Sequence, residues 1–195
     1  MGAQVRTIVT RNSLDSWEAL WAPYDETTYR DALAFIRPED TVLDIGAGDL
    51  RFARRAAAVA RRVYAVEIQP ALLHHQPPLP PNLLVICADA RQIPWPRDIT
   101  VGVLLMRHCA HVGLYTRRLR EIGCRRLVTN ARWRMGVEEM LLEPRMPWSA
   151  VRIGWYACLC GAVGFVPGPP SAVTPAVMET ITEVENCPAC QPFPG

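Results

Sequence analysis

Three short apolar runs with acids at or just past their ends constrain this chain most: TVLDI (Thr41–Ile45), VYAVEI (Val63–Ile68) and LLVIC (Leu83–Cys87), the last followed by Ala88 and Asp89. Runs of this length, rich in β-branched residues, read as strands buried on both faces. Between the first two, from about Leu50 to Arg61, Phe52, Ala56 and Val59 recur at helical spacing and leave Arg51, Arg55 and Arg62 on a different face. A fourth strand is expected at Thr100–Met106, a helix at Tyr115–Ile122 and a fifth strand at Arg126–Asn130. Strands alternating with helices predict an α/β fold: a mostly parallel sheet with helices on both faces.

In such a sheet ligands bind at the carboxyl ends of the strands. Asp44 ends the first strand, Glu67 the second, and Asp89 follows the third, so three carboxylates converge there. Gly46 and Gly48 follow the first strand directly, which lets the backbone pass close to a ligand. A dinucleotide fingerprint would continue to a third glycine where Arg51 stands, and a phosphate loop would need a downstream Gly-Lys-Ser/Thr that is absent. A carboxylate after strand two suits a pair of ribose hydroxyls, and one after strand three suits an exocyclic amino group. The pattern describes a site for an adenosine without phosphates.

These residues resemble the class I S-adenosylmethionine-dependent methyltransferases, over roughly residues 22–131. The resemblance rests on Asp44-Ile-Gly-Ala-Gly48, on Val63-Tyr-Ala-Val-Glu-Ile68 and on Cys87-Ala-Asp-Ala90. It implies a Rossmann-like sheet. It also implies that Gly46, Ala47 and Gly48 meet the amino-acid part of S-adenosyl-L-methionine, with Asp44 in the same cofactor site, that Glu67 beside Ile68 binds the ribose hydroxyls, and that Asp89 with Ala90 approaches adenine. Met106, at the end of strand four, completes the cofactor set. The family's usual third glycine is Leu50 here, a departure expected to narrow the turn.

Residues 58–69 and 82–90 are particularly similar to the ribosomal RNA adenine dimethyltransferases. That group carries Asn-(Leu/Ile)-Pro-(Tyr/Phe) after strand four for the target base, where this chain has Leu105-Met-Arg-His-Cys109. The similarity therefore implies the cofactor half and not the reaction. His108 is the candidate general base, since its ordinary pKa suits proton removal from a hydroxyl or amine; the alternative is that it caps the strand while His111 faces solvent. Cys109 reads as a buried, inert thiol. Asn130, Arg132, Trp133 and Arg134 follow strand five, where arginine and tryptophan could hold a phosphate and stack on a base. RNA is the leaning for the acceptor. The residues leave open a small-molecule or protein acceptor, and a non-catalytic scaffold that keeps the fold. Tyr24 is either a lid on the cofactor or a packing residue.

Upstream of the first strand, Trp17, Leu20 and Trp21 fit one short amphipathic helix, and Tyr29, Leu33 and Ile36 fit another from about Asp25 to before Pro38. Residues 70–82 begin as a helix and dissolve into prolines.

The last part of the chain has a different character. Strand-like runs at Trp155–Cys158, Ala162–Val166 and Glu179–Glu185 are separated by a Pro-Gly-Pro-Pro break, and Cys158-Leu-Cys160 and Cys187-Pro-Ala-Cys190 flank them. Two cysteine pairs in turns can direct four thiolates to one point, which resembles a zinc ribbon with a compressed first knuckle. Cys158, Cys160, Cys187 and Cys190 are the expected Zn2+ ligands, in a closed and therefore structural site. The expected division is residues 1–150 for the cofactor domain and 151–195 for the zinc-ribbon-like extension.

Seven cysteines is an odd number, which weakens a disulfide framework. Every one of the 21 basic residues other than histidine is arginine, a bias of the source and not of any site. The formal net charge of +2 does not by itself point to nucleic acid. The longest apolar run, Ile99–Met106, falls far short of the roughly 20 residues of a membrane span. With no signal-peptide pattern at the start, a cytoplasmic location is expected. The pattern specifies no oligomeric state.

Overall fold

The computed structural model describes residues 6–7, 22–74, 76–132 and 136–190. The helix expected around Trp17–Trp21 lies outside the described residues, as do Trp133 and Arg134.

The chain-order elements of the main sheet are β1 (Arg6–Thr7), α1 (Glu26–Leu33), β2 (Thr41–Ile45), α2 (Arg51–Ala57), β3 (Arg62–Glu67), α3 (Pro70–Leu73), β4 (Leu83–Cys87), β5 (Val101–Leu104), α4 (Val112–Glu121), β6 (Arg126–Thr129) and β7 (Glu138–Leu141). They form a seven-stranded sheet in the order β1-β4-β3-β2-β5-β6-β7. All pairs are parallel except β6–β7. The order reverses between β2 and β5, which is where such a sheet opens a crevice at its carboxyl edge.

β2 is buried at all five positions, and successive residues serve opposite faces. Val42 joins Val63, Val101, Phe52 and Tyr29 on the face covered by α1 and α2. Leu43 joins Leu104, Leu119, Leu127 and Tyr115 on the face covered by α4. This is the two-sided burial that unbroken apolar strands require.

Local chemistry sets the helix ends. Asp25 caps α1 by accepting from the Thr28 N–H at 2.7 Å. α2 stops at Ala57, short of the expected Arg61, because the Asn82 side-chain amide donates to the Ala57 and Ala60 carbonyls at 2.9 and 3.0 Å. The proline stretch after Leu73 has no helix, as expected from the missing N–H groups.

β7 was not legible. Glu138 and Glu139 are poor strand formers, and their place in the sheet comes from cross-strand partners: Arg126 on β6 donates to Glu139 at 2.7 Å.

A second sheet of four strands follows in the order β10-β9-β11-β8. Its strands are β8 (Met146–Pro147), β9 (Gly154–Cys158), β10 (Val163–Val166) and β11 (Ile181–Glu185), with a one-turn helix α5 (Pro175–Glu179) before β11. β9 and β10 form the expected antiparallel hairpin, while β11 runs parallel to β9 and to β8. Glu179 belongs to α5, whose first turn is capped by the Thr174 hydroxyl, so the last strand starts later than expected. The second sheet takes in Met146–Pro147, on the near side of the expected boundary at residue 150. Leu159, from the turn after β9, is 4% exposed inside the α4-side core of the main sheet.

Candidate cofactor pocket and thiolate cluster

The reversal between β2 and β5 opens a cavity at the carboxyl edge. Asp44, Gly46, Ala47, Glu67, Ile68, Asp89, Ala90 and Met106 all line it, the sites expected from sequence, and Gly48 reaches it through Glu67. Its walls also take in Tyr24, Tyr29, Arg91 and Tyr115, which sequence reasoning did not assign to the cofactor, apart from the lid reading of Tyr24.

The turn after β2 is built on left-handed backbone. Gly46, Gly48 and Leu50 have φ of +73°, +56° and +66°. A Cβ at Gly46 would lie 2.9 Å from the terminal methyl of Met106 and would have to displace it, on a backbone whose left-handed φ already favours glycine. Leu50 was expected to narrow the turn. Instead it takes the conformation a glycine would, at a cost of about 1–2 kcal/mol, and its side chain is 1% exposed in the core. Burial of a leucine, about 1.5–3 kcal/mol, offsets the strain.

Glu67 is buried, and its two oxygens accept from the Gly48 and Gln69 N–H groups at 2.8 Å each. Burial pushes its pKa up, and the N–H groups of Gln69, Gly48 and Ile68 draw it part of the way back. Asp44 has no such relief. Its Oδ2 is buried without a hydrogen-bond partner, and burial, reinforced by the Glu67 charge, pushes its carboxyl up to about 8. Asp89 goes the other way: burial alone would raise it, but hydrogen bonds from Arg91 and Gln92 hold it below the usual range.

Two arginines line the cavity, and both are engaged. Arg51 pairs with Asp49 at 2.6 Å, and Arg91 pairs with Asp89 at 3.0 Å. The cavity thus offers carboxylates and apolar walls in place of a phosphate cradle. Tyr24 lines the cavity and is held at both ends: its N–H donates to the Tyr29 hydroxyl at 3.0 Å, and its own hydroxyl accepts from the Arg107 N–H at 3.0 Å.

His108 is exposed on the turn after Met106 and is not among the lining residues. His111, expected to face solvent, instead lies 2.9 Å (Nε2) from Arg91 Nη1, at the N-terminal end of α4. Cys109 is buried, and its Sγ accepts from the His111 N–H.

The nucleic-acid reading of Arg132 is overturned. Its side chain is 1% exposed and donates to Glu138 at 2.8 Å and to Glu183 at 2.7 Å, clamping β7 to β11. Arg120 on α4 pairs with Glu185 at 3.1 Å. The acids of the last strand thus answer arginines of the main sheet. No local signal in the sequence could pair groups so far apart.

The four cysteines expected to bind metal come together. Their sulfur atoms all lie within 4.8 Å of one another, with Cys158–Cys190 at 3.5 Å, Cys160–Cys187 at 3.6 Å and Cys187–Cys190 at 3.8 Å. A disulfide would need about 2.05 Å. A tetrahedron with metal–sulfur bonds of about 2.3 Å has edges of about 3.8 Å, so the separations fit a tetrahedral thiolate site. Left-handed residues make both knuckles: Gly161 at φ +95° and Asn186 at φ +58°. Hydrogen bonding from Cys160 holds the Cys158 thiol down to about 4, and burial first of all pushes Cys190 up to about 11. Four thiols so close cannot all ionise without a cation among them.

Sheet order and pocket position define a Rossmann-like, doubly wound α/β protein carrying an added thiolate-clustered sheet. Within that class, part of the chain is similar to the protein named "Probable ribosomal RNA small subunit methyltransferase A" of Methanosarcina mazei, 41% identical over 68 residues, covering 33% of this chain and 25% of that protein. The protein of the same name in Methanosarcina acetivorans is 41% identical over 66 residues, covering 32% and 24%. The chain spans about a quarter of the length of these curated relatives. Among solved structures, the 23S rRNA methyltransferase ErmE is 24% identical over 55% of this chain and 46% of that chain, with a TM-score of 0.44. No family model matches the chain.

Proposed function

We propose that this chain binds S-adenosyl-L-methionine at the carboxyl edge of the main sheet and transfers its methyl group to a nucleotide of RNA, and that Zn2+ organises the second sheet. The observation that carries the reading is the trio of buried carboxylates around the glycine turn, with Asp44 Oδ2 left without a partner. A buried, orphaned carboxylate oxygen needs a cation or a donor, and the cofactor's amino-acid end is positively charged at its ammonium. Glu67, a carboxylate at the cavity wall, retains acceptor capacity for the ribose hydroxyls. Asp89, with Ala90, faces the adenine end.

When bound, the cofactor supplies an electrophilic methyl on a sulfonium. The chain's own residues position it and exclude water: Tyr24 closes the mouth, and Leu105, Met106 and Tyr115 line the wall. His108 is the group assigned to proton removal, exposed on a turn fixed by the Arg107–Tyr24 hydrogen bond. RNA is supported by the relatives, named for ribosomal RNA methylation. Four thiolates leave zinc no open position, so its role is structural.

Calorimetric titration with S-adenosylhomocysteine tests the cofactor. Micromolar binding is expected for the wild type and none for Glu67→Ala; equal, negligible heats for both in folded protein would sink the reading. Transfer of labelled methyl to RNA, with His108→Ala lowering transfer but leaving cofactor binding intact, tests the acceptor and base. Among the described residues no helix is long and apolar enough to cross a membrane.

A further inference from the structure

The thiolate cluster and the cofactor cavity meet through the first turn of α4. Leu159, between the first two cysteines, is buried in the same core cluster as Val112 and Tyr115. The two residues that follow it lie close against the same turn. A Cβ at Gly161 would lie 2.9 Å from Val112 Cβ, and a Cβ at Gly113 would lie 3.1 Å from Cys160 Cβ. The knuckle that carries Cys158 and Cys160 therefore rests directly on Val112 and Gly113.

That same turn holds up one wall of the cavity. His111, the residue before Val112, contacts Arg91 at 2.9 Å, and Arg91 in turn grips Asp89. Tyr115 lines the cavity and stacks on Trp95 with ring centroids 6.1 Å apart. The Trp95 indole N–H donates to the Ala90 carbonyl at 3.1 Å. Arg118, one turn along α4, stacks on Trp95 and donates to the carbonyls of Ala90 and Ile93. The strand-end loop carrying Asp89 and Ala90 thus hangs on α4, and the first turn of α4 hangs on the knuckle.

We propose that metal binding by Cys158, Cys160, Cys187 and Cys190 sets the order of the cavity wall formed by Asp89, Arg91, His111 and Tyr115, so that the metal raises affinity for an adenosine-bearing ligand in that cavity. This rests on the zinc and cofactor readings above. Coupling of this kind requires one element with two states that both sites bias; here it is the N-terminal turn of α4, which has no side-chain cap of its own. Linkage makes the effect reciprocal: ligand binding tightens metal binding by the same factor.

The experiment uses the full chain, loaded with zinc and then stripped by a thiol-reactive mercurial and chelator. Amide exchange is followed by mass spectrometry, and S-adenosylhomocysteine affinity by calorimetry. Stripping should speed exchange across residues 89–93 and 111–116 and weaken the ligand about tenfold, with both restored by one equivalent of zinc. Exchange that rises in β9 and β11 yet is unchanged at 89–93 and 111–116 overturns the proposal. Because stripping could unfold the chain, Gly113→Ala provides a second arm. Its Cβ presses on the Cα and Cβ of Cys160, at 3.3 and 3.1 Å, without removing a thiolate or entering the cavity, and alanine favours the helix. It should keep one zinc per chain while speeding exchange at 89–93; unchanged exchange there overturns the proposal. If loaded protein binds no S-adenosylhomocysteine, the cofactor reading fails while the exchange readout still decides the coupling.

Discussion

In the seven-stranded sheet Val42, Leu43, Val63, Val101 and Leu127 are all fully excluded from solvent, on both faces, among dozens of apolar neighbours. Among the described residues, the four-stranded sheet's buried cluster is Cys158, Val184 and Cys187, two of them metal-ligand candidates, with Trp148, Val151 and Tyr156 partly buried against it. At roughly 1.5–3 kcal/mol for each buried aliphatic side chain, the first sheet can stand on the hydrophobic effect, and the second cannot offset the entropy of ordering its strands. A chain can therefore extend an apolar-core domain with a small sheet only by giving that sheet a different source of free energy. Here the source we propose is thiolate–metal bonding, supplemented by the Arg132 and Arg120 ion pairs to Glu183 and Glu185.

The contrast is tested most severely by removing the metal. Zinc binding in small structural sites is worth on the order of 10 kcal/mol, so Cys187→Ser/Cys190→Ser should abolish bound zinc and the amide protection of β9 and β11. The strands β2, β3 and β5 should stay protected. Undiminished zinc per chain, or loss of protection in both sheets alike, would break the comparison.

A core truncation probes the other side. Leu119 is fully buried and packs on Gly102, where a Cβ would lie 2.6 Å from its Cδ1. Leu119→Ala should lower unfolding free energy by about 2–5 kcal/mol, read from the denaturant midpoint, with zinc stoichiometry unchanged.

Breaking the clamp between the sheets comes next. Arg132→Ala leaves Glu138 and Glu183 facing each other without their cation. Removing one partner of a buried pair costs about 3–5 kcal/mol, but the acids keep 27% and 35% side-chain exposure, so about 2 kcal/mol is expected. The Arg132–Glu138 and Arg132–Glu183 pairs should both show favourable coupling in double-mutant cycles.

Asp44 predicts an effect that depends on pH. Its carboxyl titrates near 3.8 unfolded and about 8 folded, so between those values the folded state holds the extra proton. Its contribution to stability is complete below pH 4 and falls as pH rises towards 8, by at most about 1.4 kcal/mol per pH unit. Asp44→Asn should remove that slope from the difference between variant and wild type; an identical slope in thermal melts from pH 5 to 8 would show that the carboxyl is not shielded.

The smallest effect is at the second knuckle. Asn186 already tolerates its left-handed backbone, so Asn186→Gly should shift stability by only a few tenths of a kcal/mol. Asn186→Val should cost about 1–2 kcal/mol and weaken zinc retention.

The parts of this protein that follow from short stretches of chain were readable in its sequence. Thr41–Ile45, Arg62–Glu67 and Leu83–Cys87 are strands because their apolar residues require burial on both faces, and an acid at or just past each carboxyl end then meets its neighbours in a parallel sheet. The cysteine pairs declare their cluster in the same way, because each pair closes its own turn. What the sequence could not decide are matters of distance. Whether Arg132 meets a phosphate or Glu183, whether His111 meets solvent or Arg91, whether Glu138 and Glu139 form a strand, and whether Leu50 narrows its turn or bends to left-handed φ all depend on groups brought together by packing. A side chain's type fixes what it can pair with. Only the folded chain fixes which of those partners lies within 3 Å, because burial removes the water that would otherwise have served.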